Sequence, residues 1–421
     1  MSIRKKFYIN KILRLFIIIL FIANALFSQE KNFRLKIQSN PTDQDYWWLK
    51  NNNFGIDYDD FHFQGIWKLK KNQATYSINI IGQDDQKKIY FNESFFKYNF
   101  SRNTFLRLGK YYKDFSKYMN DELSSGHMLI SNNAQPMPKI GFVTSKKFKK
   151  FDKLTFDAGI AHGVFKKNEY YSDAPFLHEK FIYLNVIKNN FHSFSIGLVH
   201  EAIWAGTTTE LGSSNNPGNQ PDSFKDFLKV FISADGKLLE GEPHANALGS
   251  HAGIWDFNYI KKHDSKELKL YYQHYFEDTS SLRFANKTDG LWGMELKNYA
   301  PDTTILFEYL DTSNAWQDPP YQQDYYYWNY QYRGGWSYED NIIGNPFVNP
   351  FKLGKVMHLG LKGKFFSNYY KLKAARRINT TDYIKYKIII GKKINDRFDI
   401  NMYLVNSEYN KNSGLGFSSS F

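Results

Sequence analysis

Alternation of apolar and polar residues, renewed along most of the chain, limits this sequence to β-structure. Ala74, Tyr76, Ile78 and Ile80 fall on one side of a period-two pattern, and Thr75, Ser77 and Asn79 on the other. Met357, Leu359, Leu361 and Phe365 alternate in the same way with His358, Gly360, Lys362 and Lys364. Ile384, Tyr386, Ile388 and Ile390 alternate with Lys385 and Lys387, and Phe398, Ile400, Met402 and Leu404 with Asp399 and Asn401. Successive side chains of a strand point to opposite faces, so each pattern describes a sheet with one apolar and one polar side. No comparably long stretch repeats at the helical period; only a short helix over Asp226 to Ile232 is expected.

Composition separates a membrane sheet from a soluble one. The chain is polar on average, with a mean hydropathy of −0.56, yet 18% of its residues are Phe, Tyr or Trp. A soluble β-sandwich hides its apolar faces from water and does not need so many aromatics. A barrel in lipid needs an apolar outer band, aromatic girdles at both interfaces and a wet lumen. The expected fold is therefore all-β, a transmembrane antiparallel β-barrel. Residues 29–421 accommodate about 16 to 18 strands at roughly 10 residues each plus connections.

The first segment stands apart. Arg4, Lys5, Lys6, Lys11 and Arg14 flank or precede the apolar run Leu15 to Ala25, which is too short to span a membrane. That is the layout of a secretory signal peptide. Ala23-Asn24-Ala25 and Ser28 both offer cleavage sites, with Ser28 favoured, so residues 1–28 are read as signal and 29–421 as the barrel. Loss of these five basic residues lowers the formal charge from +13 to +8. With no basic helix or arm, that excess is not a nucleic-acid footprint. The chain has no cysteine, which is compatible with an oxidising export route.

Turn signals give the strands a direction. Asn395-Asp396 and Ser367-Asn368 mark tight turns, whereas Arg377 to Asp382, Asn406 to Ser413 and Gly334 to Gly354 form the opposite connections. Bacterial barrels keep short turns in the periplasm and longer loops outside, which places Gly334 to Gly354 outside. Tyr299 to Thr303 is short where the same count expects a long loop. Ala205 to Ser223, rich in Gly, Ser, Asn and Pro, reads as an exposed loop. The terminal Phe421, after Leu415 and Phe417, resembles the signal read by the barrel-insertion machinery, although Ser419 departs from it.

Alternation also assigns the lumen. With Trp255, Phe257 and Tyr259 toward lipid, Asp256 and Asn258 turn inward. Gln273, Tyr275, Glu277, Glu295 and Glu308 turn inward by the same rule. So do Lys362, Lys364, Lys371, Lys373, Lys385 and Lys387. One acidic wall and one basic wall can pair across the lumen, with Glu295 and Glu308 facing Lys or Arg, or they can form a charged groove for an anionic or hydroxyl-rich ligand. Sugar recognition requires flat aromatic faces and planar polar groups. Trp204, Trp336 and Tyr338, near Glu201, Arg333 and Glu339, have those types at strand ends or in loops. The candidate binding residues are thus Trp204, Asp256, Glu277, Glu295, Glu308, Arg333, Trp336 and Tyr338.

Signs of catalysis are weak. There is no Gly-x-Ser-x-Gly, His-Glu-x-x-His or phosphate loop. Ser124, Ser125 and His127 have suitable types for a barrel hydrolase, but their spacing alone says little. His244 and His251 read as isolated polar histidines rather than metal ligands. No cofactor is expected.

Six ordered stretches resemble the capsule-assembly Wzi family in its Bacteroidetes form. They are SGHMLISNNAQPMPKIGF (Ser125 to Phe142), LHEKFIYL (Leu177 to Leu184), NALGSHAGIWDF (Asn246 to Phe257), YYQHYFEDTSSL with DGLWGMEL (Tyr271 to Leu296), FEYLDTSNAW (Phe307 to Trp316) and YRGGWSYEDNIIGNPF (Tyr332 to Phe347). The resemblance implies an outer-membrane lectin that tethers capsular or exported polysaccharide, and neither a polymerase nor an export channel. Its expected partners are that polysaccharide, outer-membrane lipid with lipopolysaccharide, and the insertion machinery; a monomer is expected. The start EKNFRLKIQSNPTDQDYWWLK reads as strand and loop, a departure from family members that carry an N-terminal helical bundle. A diffusion or uptake channel and a lipid-modifying barrel enzyme are the competing readings.

The leader gives the first prediction. Intact-mass analysis of the membrane fraction should find the chain without residues 1–28; recovery of Met1 on the folded protein would exclude cleavage.

Overall fold

The computed structural model describes residues 31–39, 54–56, 61–83, 89–148, 150–151, 153–189, 191–211, 217–238, 245–277, 282–315, 325–378, 384–395, 398–407 and 410–420. The segment read as signal peptide, Phe421 and His244 lie outside them. The wall begins with β1 (Lys31–Ser39), β2 (Phe61–Lys71), β3 (Ala74–Gln83), β4 (Ile89–Phe91 continued by Phe95–Asn99), β5 (Thr104–Lys110) and β6 (Pro138–Lys147). It continues with β7 (Leu154–Val164), β8 (Phe176–Asn189), β9 (His192–Trp204), β10 (Ser250–His263), β11 (Lys266–Phe276) and β12 (Gly290–Lys297). It ends with β13 (Thr304–Asp311), β14 (Lys355–Phe365), β15 (Asn368–Ile378), β16 (Lys385–Lys393), β17 (Phe398–Ser407) and β18 (Asn410–Ser420).

These strands form one sheet of 19 pieces. Both pieces of β4 pair with β3, so they make one interrupted strand and the wall has eighteen, the upper end of the expected range. All pairings are antiparallel and join chain neighbours. The exception is β18, which pairs with β1 from Arg34↔Ser420 to Gln38↔Gly416. The last strand therefore meets the first. In lipid, where no water satisfies a backbone edge, such a continuous ladder is required of a sheet.

The faces follow the alternation. Trp292, Met294, Phe307, Met357, Leu359 and Ile400 are exposed on the outside. Asp256, Gln273, Glu295 and Glu308 are buried on the inside. A register slip by one residue would have reversed every one of these.

Short turns gather at one end and long connections at the other, which sets the periplasmic and outer ends. Two expectations need correction here. The short connection between β12 and β13 lies at the turn end, because β13 pairs directly with β14 and the described residues between Asp311 and Lys355 contain no wall strand. The segment Asn406 to Ser413 is not a loop: β17 runs to Ser407 and β18 starts at Asn410, with those two residues paired. The helix expected near Asp226 is α1 (Phe224–Phe231), opened by a capping box between Ser223 and Asp226.

Glycines opposite aromatic rings let side chains lie flat against the inner wall. Gly293 pairs directly with Tyr271 and Gly197 with Tyr183. A Cβ at either glycine would overlap the facing ring. The flattened rings carry their hydroxyls to carboxylates: Tyr271 donates to Glu308, and Tyr183 donates to Asp256 at 2.6 Å. Gly293→Ala should therefore displace Tyr271 and destabilise the barrel by about 1–3 kcal/mol, the usual cost of overpacking. Thermal scans of refolded protein, read by heat-modifiable gel mobility, should show a lower melting point; an unchanged one would reject this role for the pair.

Candidate functional site

The connection between β5 and β6, Tyr111 to Met137, does not stay at the rim. Leu123, Met128 and Leu129 are fully buried, and their neighbours bond to inward side chains of five consecutive strands. Irregular backbone buried this way must find hydrogen-bond partners outside any ladder. The inward polar residues supply them. Glu308 on β13 accepts from Ser124 Oγ at 2.7 Å and Ser125 N at 2.6 Å. Gln273 Oε1 on β11 accepts from Met128 N at 3.1 Å. His358 Nε2 on β14 lies 2.7 Å from the Leu123 carbonyl oxygen. Asp256 on β10 accepts from Ser116 Oγ at 2.5 Å and from the hydroxyls of Tyr118 and Tyr183. Glu295 on β12 pairs with Lys269 Nζ at 2.8 Å and accepts from Asn120 Nδ2 at 2.6 Å.

The acidic wall thus holds the inner segment. Glu295 and Glu308 do not meet a basic wall across the lumen: Glu295 is neutralised by Lys269 on the adjacent strand, and the inner segment fills the space between. The basic wall meets the same segment from the other side, where Lys362 and Lys371 reach Glu122 at 2.6 and 3.2 Å. Burial works to raise the Glu122 carboxyl, but Lys371 and Lys362 outweigh it and hold the group down at about 2. His127 lies within the segment, where burial pushes its pKa well down. Its Nδ1 accepts from Leu129 N at 2.9 Å, which leaves Nε2 to donate to Ser116 Oγ at 2.8 Å. His127 is therefore spent on the segment's own geometry, with Ser116 rather than Ser124 or Ser125 as its hydroxyl partner.

A second layer covers the first from the outer end. Residues 325–354 leave β13, pass over the inner segment and return to β14. Trp336 Nε1 donates to the Leu129 carbonyl at 2.7 Å, and Tyr327 Oη to that of Met128. Asn345 Nδ2 donates to the Gly126 carbonyl at 2.7 Å. Glu277 accepts from Tyr275 Oη at 2.7 Å and from Tyr327 N at 2.9 Å, which ties this layer to β11.

The sequence-derived residues therefore separate into four groups. Asp256, Glu277, Glu295 and Glu308 face inward as expected, but grip the protein's own loops. Trp336 and Tyr338 are only 3% and 2% exposed, so neither presents a ring to solvent. Tyr338 packs edge-on against Phe165. Trp204 ends β9 on its outer face beneath α1, packed against Phe176 and Phe227 with tilted rings. Arg333 is half-buried, its guanidinium 6.0 Å from the Trp328 ring and its buried Nε without a hydrogen-bond partner. Sequence reasoning missed its neighbours. Trp328 and Phe351 both pack on Tyr325, and Phe351 is 71% exposed. The run Tyr325-Tyr326-Tyr327-Trp328 was the available signal: four rings in succession cannot all be a strand face.

His251 pairs with His200 at 2.9 Å on the outer wall. Among the described residues no three His, Asp or Glu side chains converge as a metal site. On the periplasmic side of the inner segment a cavity of about 590 Å³ remains, lined by Lys117, Tyr118, Asp157, Asn185 and Asn258 among others.

An eighteen-strand wall with aromatic and aliphatic residues outside, and a lumen filled by the chain's own loops, defines an outer-membrane β-barrel of the closed kind. The family model described as capsule assembly protein Wzi matches residues 36–377, and the chain belongs to that family. Among solved structures, one similar to this chain is Wzi of Escherichia coli, described as an outer-membrane, carbohydrate-binding β-barrel involved in group 1 capsule assembly. It is 12% identical, with 92% of this chain and 84% of that chain covered and a TM-score of 0.62. Two mutant porins of Rhodopseudomonas blastica are 8% identical over 93% of this chain and 99% of theirs, with TM-scores of 0.40. Among curated proteins none matches.

The loop clamp yields a direct expectation. Glu308→Ala removes the acceptor of two inner-segment donors and of Tyr271, leaving buried groups unsatisfied at about 1–3 kcal/mol each. In planar bilayers the unaltered protein should show no steady conductance and the variant frequent openings. Equal, silent traces from both would show that Glu308 does not secure the segment.

Proposed function

We propose that this protein holds capsular or exported polysaccharide at the cell surface, and that the sugar binds on the outer layer rather than in the lumen. The observation that carries this reading is the filled lumen. The inner segment and the covering layer occupy the passage, which also argues against a diffusion channel. On the outer side, Tyr325, Trp328 and Phe351 offer aromatic surface next to Arg333. A rigid ring gives contact area to a sugar face at little entropic cost. A guanidinium can bond hydroxyls or a uronate carboxylate in a bidentate way.

The wider reading completes the picture. The chain is exported by a signal cleaved after Ser28, inserted as a monomer with the help of its terminal aromatic, and surrounded by lipid and lipopolysaccharide. No catalytic step is assigned to it.

Stacking and charge-assisted contacts are each worth on the order of 1–3 kcal/mol. Replacing Arg333 and Trp328 together by Ala should weaken attachment about tenfold or more. The measurement compares cell-attached with shed polysaccharide at equal surface abundance of the barrel. Unchanged attachment at normal abundance would reject this patch as the binding surface.

A further inference from the structure

One sector of the outer wall breaks the rule that lipid-facing positions are apolar. On β7 to β10 the outward positions toward the outer end are His162, His178, Lys180, His200 and His251. His178 and His200 are 0% and 6% exposed, and both ring nitrogens of His178 lack a hydrogen-bond partner. What covers them is α1 with the turn that follows it. Phe227 packs on His162, His178 and Trp204, Phe231 packs on His178, and Ser233 Oγ lies 3.0 Å from His200 Nε2. Lys180 turns up to the Phe231 carbonyl at the helix end.

The helix buries only half of its apolar surface in doing so. Phe227 and Val230 face the wall, while Phe224, Leu228 and Ile232 are 75%, 48% and 71% exposed. Those three recur every fourth residue and form one stripe. Lys225, Asp226 and Lys229 occupy the remaining side.

Depth identifies the occupant of that stripe. Two residues of strand rise about 6.6 Å, or about 5 Å along the membrane normal at a tilt near 40°. On β8 the uninterrupted run of uncovered apolar outward positions is Ile182, Leu184 and Val186, with His178 and Lys180 above it and Phe176 beyond them at the strand end. Three positions cover about 15 Å of an apolar band that must be about 25 Å tall. The wall alone leaves this band broken at His178 and Lys180. We infer that α1 completes the lipid-facing band on this side, with Phe224, Leu228 and Ile232 seated among outer-leaflet acyl chains and Lys225 and Lys229 directed to anionic headgroups. The stripe is continuous with the apolar wall below it, which fixes lipid, rather than water or a second copy of the chain, as its partner.

The absence of native cysteine makes the test clean. Phe224→Cys, Leu228→Cys and Ile232→Cys would each carry a single environment-sensitive fluorophore, with Lys225→Cys on the polar side and Met294→Cys on the exposed wall as references. The full chain is refolded into phosphatidylcholine–phosphatidylglycerol vesicles, and heat-modifiable mobility selects the folded barrel. Doxyl-labelled acyl chains should quench the probes at 224, 228 and 232 to an extent comparable with 294, while aqueous iodide quenches chiefly the probe at 225. Quenching of 224, 228 and 232 by iodide alone would place the helix in water and overturn the inference. Shielding from both quenchers that disappears on dilution of the protein within the bilayer would assign the stripe to a second copy and overturn it equally.

Discussion

A buried stretch of irregular chain cannot leave its amides and carbonyls unanswered, and the interior of this barrel is arranged around that demand. Glu308, Gln273 and His358 answer it from the wall, and Asn345, Trp336 and Tyr327 from the covering layer, while Asp256 and Glu295 hold side chains of the same stretch. The lumen is consequently solid where these groups meet. Residues that could have served a ligand, such as the Trp336 ring, are consumed in packing. The carboxylates are less a docking site than the lumenal counterpart of helix caps and strand partners.

The two faces of the wall handle polarity in opposite ways. Inside, several charges are matched within the protein: Lys139 meets Glu179 at 2.7 Å, Lys269 meets Glu295, and Glu122 is shared by Lys362 and Lys371. Outside, the medium offers no partner at all, so polar positions must be covered. The histidines beneath α1 and His274, stacked under Phe284 at 4.0 Å, show the same solution on neighbouring parts of the surface.

The direction of Asp256, Glu295 and Glu308 was legible in the sequence because alternation leaves no third choice: a strand residue is in or out. Their partners were not legible. Tyr111 to Met137 has no period, so nothing in it announces that Ser124 will reach Glu308 from 184 residues away. Trp328 and Trp336 illustrate the same limit. They lie in one aromatic-rich loop, and only the fold decides that one ring is at the outer side and the other sealed inside. Trp204 had a readable signal that alternation supplied and residue type obscured. It shares a face with Ala202 and His200, and histidines on a lipid-facing row already imply a cover.

The position of the inner segment along the chain has a consequence for how the molecule is built. It lies between β5 and β6, yet its anchors come from β10 to β15, so its contacts span 140 residues to Asp256 and 240 to Lys362. Hairpins between chain neighbours close early, since short loops cost little entropy, whereas such distant contacts must wait. During assembly the segment is therefore synthesised long before most of what holds it, Arg107 beside Asp114 being an early exception. The wall must curve round first, and the interior sets only when the later strands arrive, like a keystone course laid after the arch. A chain truncated before Gly290 would retain its earlier hairpins and the anchors Asp256 and Gln273, yet lack the carboxylates of Glu295 and Glu308 that fasten the rest of its centre.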